Sequence, residues 1–351
     1  VTLLPARDVA LSRYTSLKLG GRARFLIKAV TRADLIDGLA WAKEAGERVA
    51  ILGGGSNLVV PDAGFPGLVV RMATRGITLL DDGTHTIIQA EAGEPWQNVV
   101  DAALANNLAG LECLTGIPGS VGATPIQNVG AYGQEVSDTL LDVEVLERKT
   151  GREHTLENHA CGFGYRDSRF KHETDRFVVL GVRFRLEKHG APSVRYAELT
   201  RALIGQPQPS LRAVAECVRG LRAAKSMLLD PNDPNGRNVG SFFKNPVVSE
   251  GEAARIRALC VAQGLAREER EVPCFAGPQG GVKIAAGFLI EAAGIKRGMR
   301  RGPVGISTAH ALCLVHHGGG DTSHLMALAE EVRTAVEQRF GLRLEVEPVL
   351  W

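Results

Sequence analysis

Apolar side chains return at Leu35, Ile36, Leu39 and Ala42 within the stretch 31–46, the spacing of one helix face. Thr31 stands three residues before the Asp34 carboxylate, the arrangement that caps a helix start. The pattern predicts a capped amphipathic helix over 31–46. Strand-like runs at 24–28 and 49–52 flank it, so a strand–helix–strand unit should lead into the glycine loop Gly53-Gly54-Gly55-Ser56-Asn57-Leu58. Further strands are expected at 68–71, 86–90 and 141–147, with a helix at 95–106 among them. Two later helices, at 249–263 and 322–340, should precede a closing strand at 343–349. Strands and helices do not alternate regularly, which favours an α+β chain of about three domains over a doubly wound α/β fold. The turn-rich segment Leu229-Asp230-Pro231-Asn232-Asp233-Pro234-Asn235-Gly236 marks a boundary or a functional loop.

Length agrees with that division, since 351 residues exceed what one hydrophobic core serves. Hydrophobic residues make up 44% and the formal net charge is +2, the balance of a soluble globular chain. Basic residues are interspersed with acidic ones, so nothing points to nucleic acid. The most apolar stretch, 284–295, is short and carries Glu291, which argues against a membrane role. Val1-Thr2-Leu3-Leu4-Pro5 lacks the basic head and apolar stretch of a secretory signal, and a cytoplasmic monomer is expected. Six scattered cysteines, with no Cys-x-x-Cys, read as buried free thiols. His316, His317 and His324 surround a Gly-Gly-Gly-Asp turn and read as a solvated loop, with no metal site.

Three segments carry candidate chemistry. Gly53 to Leu58 follows a strand but breaks the dinucleotide fingerprint at Leu58, and it lacks the Gly-Lys-Ser/Thr of a phosphate loop. Its backbone N–H groups, with Ser56 and Asn57, suit a pyrophosphate; a tight solvent turn is the equal alternative. The second segment, Thr115-Gly116-Ile117-Pro118-Gly119-Ser120-Val121-Gly122-Ala123, runs on to Gln127-Asn128-Val129-Gly130-Ala131-Tyr132-Gly133. It is rich in glycine and poor in charge, unlike a flexible linker. Ile117, Val121, Ile126 and Val129 suggest a buried loop beside a flat apolar ligand such as a flavin, with Tyr132 projecting beyond it. In the third, Val239-Gly240-Ser241-Phe242-Phe243-Lys244-Asn245-Pro246, one hydroxyl lies between a glycine and two aromatics. It reads either as a proton donor in a dry pocket or as a satisfied strand-end hydroxyl.

These segments, together with Phe163-Gly164-Tyr165-Arg166-Asp167-Ser168 and the terminal Leu344-Glu345-Val346-Glu347, occur in the order found in one enzyme family. From about Thr15 to Val349 the chain resembles the UDP-N-acetylenolpyruvoylglucosamine reductases of peptidoglycan synthesis. The resemblance implies a three-domain FAD-binding fold of the vanillyl-alcohol-oxidase type with a C-terminal substrate domain, divided here at 1–74, 75–224 and 225–351. It implies non-covalent FAD held by Gly53, Gly54, Gly55, Ser56, Asn57 and Leu58, and by Ile117, Pro118, Gly119, Ser120, Val121, Gly122, Ile126, Val129 and Gly130. NADPH would enter the same cleft before the UDP-sugar enolpyruvyl ether, with Lys225, Arg222 or Lys283 near its 2′-phosphate.

Catalytic roles map onto Ser241, Arg166 and Glu347, and substrate contacts onto Tyr132, Tyr196, Arg222, Lys225, Asn245 and His310. The chemistry is consistent with those residue types. Hydride on the terminal vinyl carbon leaves negative charge on the neighbouring carbon and its carboxylate, which an arginine fork can match and a lysine cannot. Ser241 then protonates a strongly basic carbon. An ionised Glu347 would repel that charge, so its protonated, donating form is expected. A surface ion pair with Arg343 is the alternative for Glu347, and a pair with Asp167 the alternative for Arg166. The chain departs from its relatives in a longer 225–241 segment and in Pro348 after the terminal acid. A same-fold alcohol or lactone oxidase and a non-catalytic UDP-sugar sensor are the competing functions.

Overall fold

The capping box formed by Thr31 and Asp34 is present: the Thr31 hydroxyl accepts the Asp34 N–H at 3.1 Å, and the Asp34 carboxylate accepts the Thr31 N–H at 2.9 Å. It opens the helix Arg32–Glu44, whose Leu35 and Ala42 enter the same core as Ile27, Leu68 and Val70. This computed structural model describes residues 4–351; residues 1–3, which carry part of the expectation for the chain start, lie outside them. The strands before and after the helix, Arg22–Ala29 and Arg48–Leu52, are not neighbours. Phe65–Met72 lies between them, parallel to both, and Ala6–Ala10 adds an antiparallel edge.

A second, antiparallel sheet follows in the order Arg152–Glu157, Leu140–Glu147, Phe177–Lys188, His85–Glu91, Ile77–Asp82. Its central strand, Phe177–Lys188, was not anticipated. The first half of that strand is buried almost without interruption, so the alternation of in and out positions shows only from Val182 onward. Helix Trp96–Ala105 follows His85–Glu91. Its fully buried Trp96 donates its indole N–H to the Leu114 carbonyl at 2.9 Å and meets Phe184 edge-on at 5.6 Å. That anchor fixes the chain just ahead of the Gly116 loop.

The expected boundary at 74 falls between these two sheets, yet both bury side chains in one shared core. They form one compact unit from 4–10, Arg22–Gly55 and Phe65–Leu228. A second unit comprises Leu11–Gly21, Ser56–Gly64 and Leu229–Trp351, so the long break falls at the turn-rich segment. Within the second unit the early excursions are tied in by backbone contact. The Gly21 N–H donates to Pro61 O at 2.9 Å, and a Cβ on Gly21 would lie 2.1 Å from Asp62 O. The Asp62 carboxylate accepts the N–H groups of Thr322 and Ser323 at 2.6 and 2.9 Å, at the start of helix Thr322–Phe340. There the anion faces the positive end of the helix dipole.

Two expectations are corrected in this unit. The closing strand 343–349 does not form; one bridge joins Val346 to Phe243, and only Val349–Leu350 pairs, parallel to Leu58–Val59. Pro348 has no N–H to continue a ladder, and Arg343 is drawn to Glu330 and Glu337 of the last helix. His316 is not in a solvated loop. It is buried in the strand Leu314–His316, its ring nitrogens 2.9 and 2.7 Å from the carbonyl oxygens of Leu17 and Gly319. All six cysteines are free thiols, with Cys217 and Cys274 only half-buried. Among the described residues no helix is long and apolar enough to cross a membrane, and no three His, Cys, Asp or Glu side chains are grouped to hold a metal.

Candidate active site

Gly53, Gly54 and Gly55 leave the strand Arg48–Leu52 and meet the second glycine loop within the first unit. A Cβ on Gly54 would sit 2.7 Å from Gly119 Cα, and one on Gly53 would sit 2.5 Å from Ser120 Oγ. Only glycine lets the two backbones touch. The far end of the second loop is anchored, because the Val121 N–H donates to Glu94 O at 2.9 Å and the Gly122 N–H to Ala92 O at 2.8 Å. Among the described residues the N–H groups of Gly54, Gly55, Gly119 and Ser120 have no hydrogen-bond partner. Such a cluster of backbone donors suits an anionic diphosphate. Ile117, Pro118, Ile126, Val129 and Gly130 are half-buried nearby in the chain. Ser56, Asn57 and Leu58 belong to the second unit, where Leu58 pairs with Val349 and Asn57 O accepts the Val349 N–H at 3.0 Å.

Arg166 sits at the tip of a tight turn in the first unit. Gly164 and Asp167 exchange N–H···O bonds of 3.0 and 3.2 Å, and Arg166 between them adopts a left-handed φ of +54°. A non-glycine residue held there is strained. The guanidinium reaches back to Gly130 O at 2.5 Å through Nη2 and to Asn128 O at 3.4 Å through Nη1. Asp167 pairs with His172 at 2.8 Å.

The segments that carry Ser241 and Glu347 run side by side in the second unit. The Glu347 N–H donates to Phe242 O at 2.9 Å and the Lys244 N–H to Glu345 O at 2.9 Å, so the two motifs run antiparallel. Gly240 precedes the serine with φ +73° and donates its N–H to Asn238 Oδ1 at 2.7 Å. Phe242 and Phe243 behind it are fully buried. The Ser241 hydroxyl is half-buried and has no hydrogen-bond partner among the described residues. Arg343 pairs with Glu330 and Glu337. Asn245 Oδ1 accepts the Ala286 N–H at 2.8 Å, and His310 Nδ1 accepts the Leu312 N–H at 3.1 Å, which leaves the proton of the neutral ring on Nε2.

Tyr132, Tyr196, Arg222 and Lys225 converge in the first unit. The two tyrosine rings meet edge-on at 5.5 Å, and Lys225 Nζ lies 5.5 Å from the Tyr132 ring centre while pairing with Glu198. Arg222 is buried and donates to Met227 O at 2.9 Å. Sequence reasoning missed Glu198, and it treated Asn128 only as part of a motif. A carboxylate two residues after Tyr196 was the available signal for Glu198. Burial pushes the Tyr132 phenol up to about 12, with Arg222 opposing the shift, and burial also raises Tyr196. Between pH 10 and 12 the unfolded chain has released the Tyr132 proton and the folded chain has not. Stability should thus fall with rising pH by up to about 1.4 kcal/mol per unit from this group alone. Denaturant midpoints at pH 9, 10 and 11 should decline less steeply for Tyr132→Phe than for the wild type; parallel declines would remove Tyr132 from the alkaline transition.

The chain also matches known proteins along nearly its whole length. Residues 23–157 match the model of an FAD binding domain, and residues 230–351 that of the UDP-N-acetylenolpyruvoylglucosamine reductase C-terminal domain. The UDP-N-acetylenolpyruvoylglucosamine reductase of Salinispora arenicola is 47% identical over 99% of this chain and 95% of that protein. That of Streptomyces coelicolor is 45% identical over 97% of this chain and 89% of its own. The crystal structure of the reductase from Thermus caldophilus aligns over 99% of this chain and 100% of that one, with TM-score 0.66 and 27% identity. With an FAD-binding domain ahead of that C-terminal domain, the chain belongs to the UDP-N-acetylenolpyruvoylglucosamine reductase family of FAD-dependent oxidoreductases.

Proposed function

We propose that the protein reduces the enolpyruvyl ether of UDP-N-acetylglucosamine to UDP-N-acetylmuramate, using NADPH and a bound FAD, as a cytoplasmic step towards peptidoglycan. The observation that carries this is the Ser241 hydroxyl, half-buried behind two buried phenylalanines and bonded to no protein group among the described residues. The near full-length identity to reductases of that name supports it. The protein acts as a monomer on this small molecule, with no nucleic acid or membrane partner.

The residues present fit FAD. The backbone donors of Gly54, Gly55, Gly119 and Ser120 would hold its diphosphate, and Ile117, Ile126 and Val129 would flank its apolar ring. When bound, FAD supplies a hydride carrier that NADPH recharges. Arg166 holds the substrate carboxylate and stabilises the charge that grows beside it as the double bond is reduced. The Ser241 O–H donates its proton to the carbon bearing that carboxylate, forming the new C–H bond, and the alkoxide is reprotonated from solvent. Glu347, as the neutral acid, donates a hydrogen bond to the same developing charge. Lys225 and Arg222 neutralise phosphate on the nucleotide, and Tyr132 and Tyr196 cover it.

Anaerobic mixing tests the assignment directly. Purified protein should be yellow, bleach with NADPH, and recolour only when the enolpyruvyl UDP-sugar is added. Recolouring by oxygen alone would mark an oxidase. Colourless protein that still binds a UDP-sugar would mark a sensor.

A further inference from the structure

We infer that Asn128 is the positioning residue of Arg166, an inference that rests on the role proposed above for Arg166. Asn128 is 1% exposed and adopts a left-handed φ of +45°. Its amide donates to Gly164 O at 3.1 Å and to Glu135 Oε2 at 2.8 Å, and its Oδ1 accepts the Ser137 N–H at 3.0 Å. Both amide protons are thereby directed, and buried groups so bonded have one arrangement. Gly164 is the base of the turn that carries Arg166, so the first bond fixes the height of the turn. Lys171 Nζ fixes the other side, donating to Arg166 O at 3.1 Å. The backbone carbonyl of Asn128 meets the guanidinium itself, at 3.4 Å.

The second bond acts through Gly130. A Cβ there would lie 2.8 Å from Glu135 Cγ and 3.0 Å from Arg166 Nη1, so acid and guanidinium share the space above one glycine. By holding Glu135, Asn128 sets the wall against which the guanidinium rests. One side chain therefore controls both where the turn stands and how the fork is aimed. A misplacement of about 1 Å in such a group costs on the order of a hundredfold in rate.

Two variants separate side chain from backbone. Asn128→Asp keeps the shape and the acceptor but turns oxygen towards Gly164 O and the Glu135 carboxylate. Asn128→Gly keeps the left-handed backbone and removes every side-chain bond. In anaerobic stopped-flow with the FAD-loaded enzyme, each should slow recolouring by the enolpyruvyl substrate by roughly 30- to 100-fold. Bleaching by NADPH should slow at least about tenfold less than that. On an Arg166→Ala background, Asn128→Gly should add less than about twofold, because the two act as one unit. Equal slowing of both half-reactions, or full additivity with Arg166→Ala, would reduce Asn128 to a general element of the fold and overturn the inference. So would loss of FAD from both variants; if only Asn128→Gly loses it, Asn128→Asp carries the test. Arg166→Ala recolouring at the wild-type rate would instead remove Arg166 from the mechanism, a separate failure.

Discussion

Ser241→Ala should bleach with NADPH and then recolour roughly a thousandfold more slowly than the wild type when the enolpyruvyl UDP-sugar is added, the scale set by losing a positioned proton donor. The hydroxyl has no protein partner among the described residues, so its removal should leave the fold untouched. Its direction is set by the main chain. Gly240 holds φ +73°, its N–H is fixed on Asn238 Oδ1, and the following Phe242 is bonded through N–H to Leu312 O at 2.8 Å and through C=O to Glu347. Alanine keeps that main chain and removes only the proton. Thermal unfolding midpoints of variant and wild type should accordingly agree within about 1 °C, since removing a hydroxyl that bonds no protein group among the described residues carries little stability. Run in heavy water, the wild type should place one solvent deuteron on the carbon that bears the carboxylate, which proton NMR of the product reads. Recolouring of Ser241→Ala within about tenfold of the wild type would leave some other acid as the donor.

Local pattern carried the fold wherever one physical signal acted alone. Thr31 and Asp34 gave the helix start because a capping box is a local exchange of hydrogen bonds, and Ser249 caps Glu250–Ala262 in the same local way. The strand Phe177–Lys188 was missed because a strand covered on both faces loses its alternation. The terminal segment was misjudged because Pro348 interrupts pairing and Arg343 pairs with Glu330 and Glu337 of the preceding helix. The residues proposed as catalytic were legible only through the resemblance in motif order, because Gly-Ser-Phe-Phe alone left its hydroxyl open to two readings and an ion pair with Asp167 stood beside any role for Arg166. What aims them was not. Asn128, Asn238 and Glu198 act through hydrogen bonds to residues far away in sequence or to main-chain atoms, and neither leaves a periodic trace. Glu198 offered a hint in its place two residues after Tyr196, and Asn128 another, as an asparagine near a glycine where the backbone turns left-handed.

Arg166→Lys keeps the charge and should still slow recolouring by two to three orders of magnitude, about 3 kcal/mol of lost transition-state stabilisation. The guanidinium is engaged on its protein side with Gly130 O and Asn128 O, and its carbon stands 5.6 Å from the Tyr165 ring centre. A planar fork can hold those carbonyls and still present parallel N–H groups to a carboxylate. A lysine has one nitrogen on a flexible stem. If it stays with Gly130 O it is drawn away from the substrate, and if it turns to the substrate the carbonyls lose their donor. The loss should therefore fall mainly on kcat, with the KM for the enolpyruvyl substrate rising only a few-fold, because the strongest interaction is with charge that develops during reduction. Arg166→Ala should lose at least as much, and adding guanidine hydrochloride at millimolar concentration should restore part of its rate by returning a planar donor to the gap. An Arg166→Lys enzyme that recolours within about threefold of the wild type would show that charge alone suffices, and would remove the need for the strained turn that presents the fork.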